Sequence, residues 1–334
     1  MSSLLVQLQS ELGNADVRRL AWAMGSASLF DSKNPDWQGR LRGDEWSTQE
    51  LARNADWLRA LDREPEALVA SLGDPLVNTP LGHTFEKFVL FWQAARPDVR
   101  AATRGLMVRT AGRTNGEFDV VLLRKDGVIE TLEVTVKYYL NLRPELGIEG
   151  CFGPRAFDRM TEKYRKMTTR QTDLGHTDAG RLAICRWLEA EHGEMRTPDE
   201  LMVENYALAR GYVFHPSAHA AIPVELSVQH GRGLWQTDQQ PLPESASDVW
   251  RNLSSREWLG PYRGAATEAG WPNDPAMPRM YARLAQRGEG RLSQQGEGRL
   301  SQQGEGRLAE HCDTWHETER RFVVRAESGL LKAV

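Results

Sequence analysis

The chain has 334 residues, enough for one large domain or two ordinary ones, and its 40% hydrophobic and 26% charged residues exclude a disordered or fibrous protein. A net charge of -4 supplies no global attraction to nucleic acid, so any such binding needs a local basic patch. Cys151, Cys185 and Cys312 are odd in number, scattered and without C-x-x-C spacing, which excludes a disulfide framework and a zinc knuckle and points to a reducing, cytoplasmic setting. The opening MSSLLVQLQSELGNADVRRL lacks the basic start and apolar run of a signal peptide, and no apolar stretch is long enough to span a bilayer, so no membrane partner is expected.

Residues 1–79 carry helical periodicity and are predicted to form a helical lobe. Val17, Leu20, Ala21 and Met24 recur at three- and four-residue steps, as do Leu51, Ala55, Leu58 and Leu61. Between them, residues 31–44 read as a loop marked by Asn34-Pro35, Gly39 and Gly43. Thr79-Pro80 starts a helix that buries Phe85, Phe88, Val89 and Trp92 and stops at Arg96-Pro97. A short strand at residues 106–109 follows.

Residues 116–140, GEFDVVLLRKDGVIETLEVTVKYYL, read as two strands around a Lys125-Asp126-Gly127 break. With a two-residue loop, Asp119 and Glu133 would lie on opposite faces; with a three-residue loop and Gly127 in the left-handed position, Arg124 pairs with Val128 and Asp119 stands opposite Glu133. The second register is preferred, because it also groups Phe118, Val120 and Leu122 with Leu132, Val134 and Val136 on one apolar face. The other face is apolar at Leu123, Val121 and Ile129 and ionisable at Glu117, Asp119, Glu133 and Lys137.

Beyond a loop at residues 147–154, a helix is predicted over residues 155–171. Phe157, Met160, Tyr164 and Met167 form its apolar stripe, continued by Gln171, beside a basic stripe of Arg155, Arg159, Lys163, Lys166 and Arg170. A helix at 180–192 and a strand at 211–214 come next. The last part, residues 231–334 with Trp235, Trp250, Trp258 and Trp271, is expected to be irregular, since prolines and glycines multiply there, apart from a strand-like run at residues 321–325. Inside it GEGRLSQQ occurs twice before a partial third copy, which reads as a low-complexity surface loop at 288–308. The divisions are thus 1–79, 80–230 and 231–334.

Two opposed carboxylates repel unless a cation sits between them. Asp119 and Glu133, with Glu117, Glu86 and Lys137 close in the pattern, therefore suit either a divalent cation such as Mg²⁺ or a salt-bridge ladder closed by Lys137 or Arg109. The basic stripe suits nucleic-acid phosphates or a solvated helix face. His215 with His219, and His311 with Cys312 and His316, lack a second pair at zinc spacing. No phosphate-cradling loop, nucleophile elbow or dinucleotide fingerprint is present, so no nucleotide cofactor is expected.

The order LGHTFEKFVLFW, GEFDVVLL, LEVTVKYYL and then a helix with lysines and a terminal glutamine resembles the PD-(D/E)XK nuclease superfamily, with its restriction-endonuclease-like core. More closely, together with VRRLAWAMGSASLF, GYVFHP, LSVQHGRGLW and WHETERRFVV, the chain resembles the bacterial family called domain of unknown function 1853. The resemblance implies an α/β fold with a mixed central sheet flanked by helices, and a nuclease using Mg²⁺ or Mn²⁺ on DNA or RNA. Asp119 and Glu133 would hold the metal, Lys137 would be the superfamily's lysine and Glu86 its acid on the first helix. Lys163, Lys166, Arg170 and Gln171 would meet the substrate. Glu133 and Lys137 lie four residues apart where the superfamily's acid and lysine lie two apart, and Thr135 stands at the usual lysine position. A catalytically inactive nuclease-like module that binds nucleic acid or a protein partner is the alternative.

Overall fold

A computed structural model describes residues 2–73, 79–154, 157–244, 249–266, 279–286, 315–326 and 329–332. The first layer follows from helical periodicity: α1 (Ser3–Glu11), α2 (Ala15–Gly25), α3 (Asp44–Arg63), α4 (Glu66–Leu72) and α5 (Leu81–Ala94). Caps fix where they begin. The Ser2 hydroxyl accepts from Leu5 N–H, and the Asn14 side chain accepts from the N–H groups of Asp16 and Val17. Val17, Leu20, Ala21, Met24, Leu51 and Leu58 are all fully buried, as their spacing requires. The segment between α2 and α3 is a loop with one 3-10 turn, Pro35–Trp37, pinned where Trp37 packs on Phe30 and Tyr164.

The strands are β1 (Val99–Thr110), β2 (Arg113–Arg124), β3 (Ile129–Asn141), β4 (Cys151–Phe152), β5 (Val203–His215), β6 (Gly231–Thr237), β7 (Val249–Asn252), β8 (Arg263–Gly264), β9 (Arg279–Gln286) and β10 (Trp315–Val324). Between β4 and β5 lie α6 (Met160–Thr169) and α7 (Asp178–His192), and α8 (Gly329–Lys332) follows β10. The ten strands make one mixed sheet of order β1-β2-β3-β5-β6-β10-β9-β7, with β4 beside β3 and β8 beside β10. β3, β5, β6 and β10 run parallel, and the other pairings are antiparallel. The α/β class expected above is the one observed.

The helices α1, α2, α3 and α5 cover one face of this sheet in a shared apolar cluster that includes Val120, Leu132, Val134, Leu208 and Phe322. Trp22 of α2 stacks on Tyr212 of β5 at a ring distance of 6.3 Å. α7 covers β1 and β2 from the other face through Ile184, Trp187 and Leu188, while α6 and the Trp37 loop cover β3 and β5. Among the described residues no helix is long and apolar enough to cross a membrane.

Three expectations are corrected. The strands expected at 106–109 and 211–214 are parts of longer ones, β1 and β5. In β1 the apolar alternation is broken by Arg100, Arg104 and Gly105, which an edge strand tolerates. The part after residue 231 is not irregular: its described strands extend the sheet, and its charges mislead because they pair internally. Arg320, 3% exposed, is clamped by Glu317 at 2.8 Å and by the carbonyls of Trp258 and Gly260. Finally, the helix expected over 155–171 begins at Met160, and Phe157 lies outside it, 75% exposed. Arg155, Trp271, His311, Cys312 and the repeat at 288–308 lie outside the described residues.

Candidate functional site: a carboxyl pair where the sheet forks

The turn between β2 and β3 has three residues. Arg124 N–H donates to Val128 O at 2.9 Å, Gly127 N–H donates to Arg124 O at 3.0 Å, and Gly127 has φ +88°. A left-handed φ of this size suits glycine and would strain any other residue. The pairs that follow are Leu123↔Ile129, Leu122↔Glu130, Val121↔Thr131 and Val120↔Leu132. The next step of this register sets Asp119 against Glu133, and there the ladder ends. Val134 N–H, instead of meeting a carbonyl of β2, donates to Asp119 Oδ2 at 2.7 Å. From this point β2 continues with β1 alone, and β3 continues with β5.

The fork also changes which way β2 faces. Val120 and Leu122 join the cluster under the N-terminal helices, but Phe118 packs with Val121 and Leu123 beneath α7. The apolar face expected for Phe118 is therefore lost at Asp119, beside which β1 carries Gly105 at φ +68°.

Glu133 is 6% exposed and receives Lys163 Nζ at 2.9 Å. Lys163 also donates to Gln171 Oε1 at 3.2 Å. Burial, and then the charge of Glu133, push Asp119 up to about 8, against the opposing pull of Val134 N–H and Lys163. Burial likewise raises Glu133 against the pull of Lys163. Burial and mutual repulsion thus both work against ionising the two carboxyls together. From α5, Glu86 pairs with Arg104 at 3.2 Å and is raised by burial and by the charge of Asp119.

The other expected residues divide. Lys137 does not turn toward the pair: its Nζ lies 2.6 Å from Asp158 Oδ2, and Tyr139 OH approaches the same carboxylate at 3.4 Å. The lysine at the acids is Lys163, which was placed above in the basic stripe. Its position was readable: Lys163 is three residues after buried Met160 and four before buried Met167, hence on the inner flank of α6. Lys166 and Arg170 are exposed, and Arg159 lies over the Phe152 ring at 5.7 Å. Gln171 opens the 3-10 turn Gln171–His176 after α6.

Among the described residues no three His, Cys, Asp or Glu side chains converge as a ready metal cage. A hydrated Mg²⁺ needs fewer, since it keeps several waters and takes one or two carboxylates plus substrate phosphate oxygens. Asp119 and Glu133 are residues that could meet that smaller demand.

The family described as Domain of unknown function (DUF1853) matches residues 18–324. The chain belongs to this family. No curated protein and no solved structure matches the chain. The DUF1853 span begins inside α2 and ends on the last residue of β10. It therefore takes in α3 to α5, all ten strands, and every side chain of the carboxyl pair and its surroundings.

Proposed function

We propose that this DUF1853 protein is a divalent-metal-dependent phosphodiesterase acting on nucleic acid. One observation carries the reading: two carboxyls, the half-buried Asp119 and the buried Glu133, stand opposite each other at the end of a strand ladder, with the Lys163 ammonium hydrogen-bonded to Glu133. Asp119 and Glu133 would hold the cation, which supplies Lewis-acid polarisation of a phosphate and a more acidic water. Asp119 is held in place by Val134 N–H, so its second oxygen keeps a fixed aim. Lys163 has three donors; Glu133 and Gln171 use two, and the third remains for a phosphoryl oxygen as negative charge gathers on it. Gln171 positions Lys163, and Glu86 with Arg104 closes the α5 side.

The test is incubation of the purified chain with plasmid, single-stranded DNA and RNA in Mg²⁺ or Mn²⁺. Metal-dependent cleavage lost on Asp119→Asn and on Lys163→Met, and kept on Lys137→Ala, supports it. Cleavage indifferent to Asp119→Asn and Glu133→Gln removes the site. A second reading, a nucleic-acid-binding module without catalysis, is favoured by the commitment of Lys137 to Asp158 and of Lys163 to Glu133. It predicts binding with no metal-dependent cleavage of any of the three substrates.

A further inference from the structure

β1 and β2 run on as a two-stranded ribbon past the point where β3 leaves them. Their pairing continues through Leu106↔Phe118, Met107↔Glu117 and Val108↔Gly116 to Arg109↔Thr114 and Thr110↔Arg113. The tip is a two-residue turn, Ala111 at φ 49° and Gly112 at φ 79°, the left-handed pair that matches the twist of a hairpin. Asn115 is the extra residue of a bulge, and its side chain donates to Thr110 Oγ1 at 2.7 Å across the ribbon. The base is held, with Val108 fully buried under α7 and Gly116 against Leu174. From Arg109 to Asn115 every residue is exposed. A bare two-stranded ribbon is marginal in water, so one that extends past its sheet needs a reason.

Its charges supply one. Arg109 and Arg113 are exposed and have no ion-pair or hydrogen-bond partner for their side chains among the described residues. Arg109 and Thr110 are consecutive on β1 and so point to opposite faces, and Arg113 shares the face of Thr110 as its cross-strand partner. The two guanidinium groups therefore leave the ribbon on opposite sides. A single strand lying on one face could meet only one of them. A duplex groove presents phosphates on both of its walls, and the B-DNA major groove, about 12 Å wide, admits a two-stranded β-ribbon.

We infer that the β1–β2 ribbon is an arm that enters a groove of double-stranded nucleic acid beside the carboxyl pair, with Arg109 and Arg113 on the phosphates of opposite strands. This deepens the phosphodiesterase reading and rests on it for the location of the cut. Arg113 is six residues along β2 from Asp119. At about 3.3 Å per residue that is roughly 20 Å, or about six base pairs at 3.4 Å each. The arm thus grips the duplex to one side of the phosphate that would meet the cation at Asp119 and Glu133, and selects duplex over single strand.

The experiment measures binding of the full chain, in Ca²⁺, to a fluorescent 24-base-pair duplex and to the 24-nucleotide single strand of the same sequence, across a salt series. Arg109→Gln/Arg113→Gln is expected to lower the slope of log affinity against log salt by about 2 on the duplex, since each lost phosphate contact removes about 0.9, and by at most about 0.7 on the single strand, which can meet only one of the two arginines. Arg109→Lys/Arg113→Lys keeps the slope, which separates charge from folding. An unchanged duplex slope, or an equal fall on both probes, overturns the arm. In that event, metal-dependent cleavage that still needs Asp119 leaves the phosphodiesterase reading standing. Wild-type protein that neither binds nor cleaves overturns both.

Discussion

Asp119→Asn tests the electrostatics of the fork directly. The carboxyl moves from 3.8 to about 8 on folding, roughly four units. At 1.36 kcal/mol per unit, that sets an upper limit near 6 kcal/mol on the cost of ionising it in the folded chain. Asp119 is half-buried and its titration is linked to that of Glu133, so about 2–3 kcal/mol is the expected net effect at pH 8. The sign follows from proton counts. Between the two values the folded chain binds more protons than the unfolded one, so this group makes stability fall as pH rises from about 4 to about 8. Asparagine keeps an oxygen for Val134 N–H and never ionises, so it should stabilise the protein, little at pH 5 and most at pH 8. With an unfolding entropy of roughly 2.1 cal/mol/K per residue, 334 residues give about 0.7 kcal/mol/K, and the gain corresponds to about 3–4 °C in Tm at pH 8. Thermal melts of the two proteins at pH 5, 6.5 and 8 provide the measurement. A Tm difference that is flat with pH, or a variant less stable at pH 8 than at pH 5 relative to wild type, refutes the account of Asp119 as an acid raised by burial and by Glu133.

Lys163→Met leaves Glu133 buried without its ion pair, which costs about 3–5 kcal/mol where the carboxylate stays charged and less where it takes a proton. Urea denaturation should therefore show a larger loss at pH 8 than at pH 5. Lys137→Ala removes an ion pair whose two side chains are each 30% exposed, so it should cost about 0.2–1 kcal/mol and change cleavage by less than about threefold. His215 and His230 lie buried with their Nε2 atoms 3.3 Å apart, and burial pushes each down from 6.5 to about 4. In that window the unfolded chain binds more protons, so this pair makes stability decline as pH falls from about 6.5 to about 4, by up to roughly 3 kcal/mol for the first imidazole. Because the carboxyl pair acts in the opposite sense, the effect is read in the Asp119→Asn background. There, His230→Asn should flatten the acid limb of a pH–stability curve, and an unflattened limb removes the pair as its source.

The parts of the fold set by local rules were legible. The apolar periods of α2, α3 and α5 gave the buried stripes, and Gly127 with its left-handed φ gave the three-residue turn and so the facing of Asp119 and Glu133. The parts set by contacts far apart in the chain were not. β1 reads as polar because an edge strand need bury only part of each residue, and β10 is legible only at its end, residues 321–324, because Arg320 and Glu317, which neutralise one another inside the fold, mask its beginning. Lys137 stands on the expected face of β3, but Asp158, 21 residues later, claims it, whereas Lys163 reaches Glu133 only once α6 has docked on the sheet. Spacing along one strand could not choose between the two lysines; packing of α6 through Met160, Tyr164 and Met167 does.

The fork explains why two acids meet at this one position of the sheet. A continuous ladder would satisfy Val134 N–H with a carbonyl of β2 and would leave Asp119 free to turn into water, an ordinary acid. Once β2 departs with β1, Val134 N–H needs another acceptor, and the Asp119 carboxyl supplies it from the position opposite Glu133. The same hydrogen bond that repairs the sheet therefore holds two acids together under α6, where their mutual repulsion is relieved only in part by Lys163. Strain of this kind persists because the surrounding core over-determines it. The departing ribbon carries Arg109 and Arg113, which have no side-chain partner among the described residues, away from that same point.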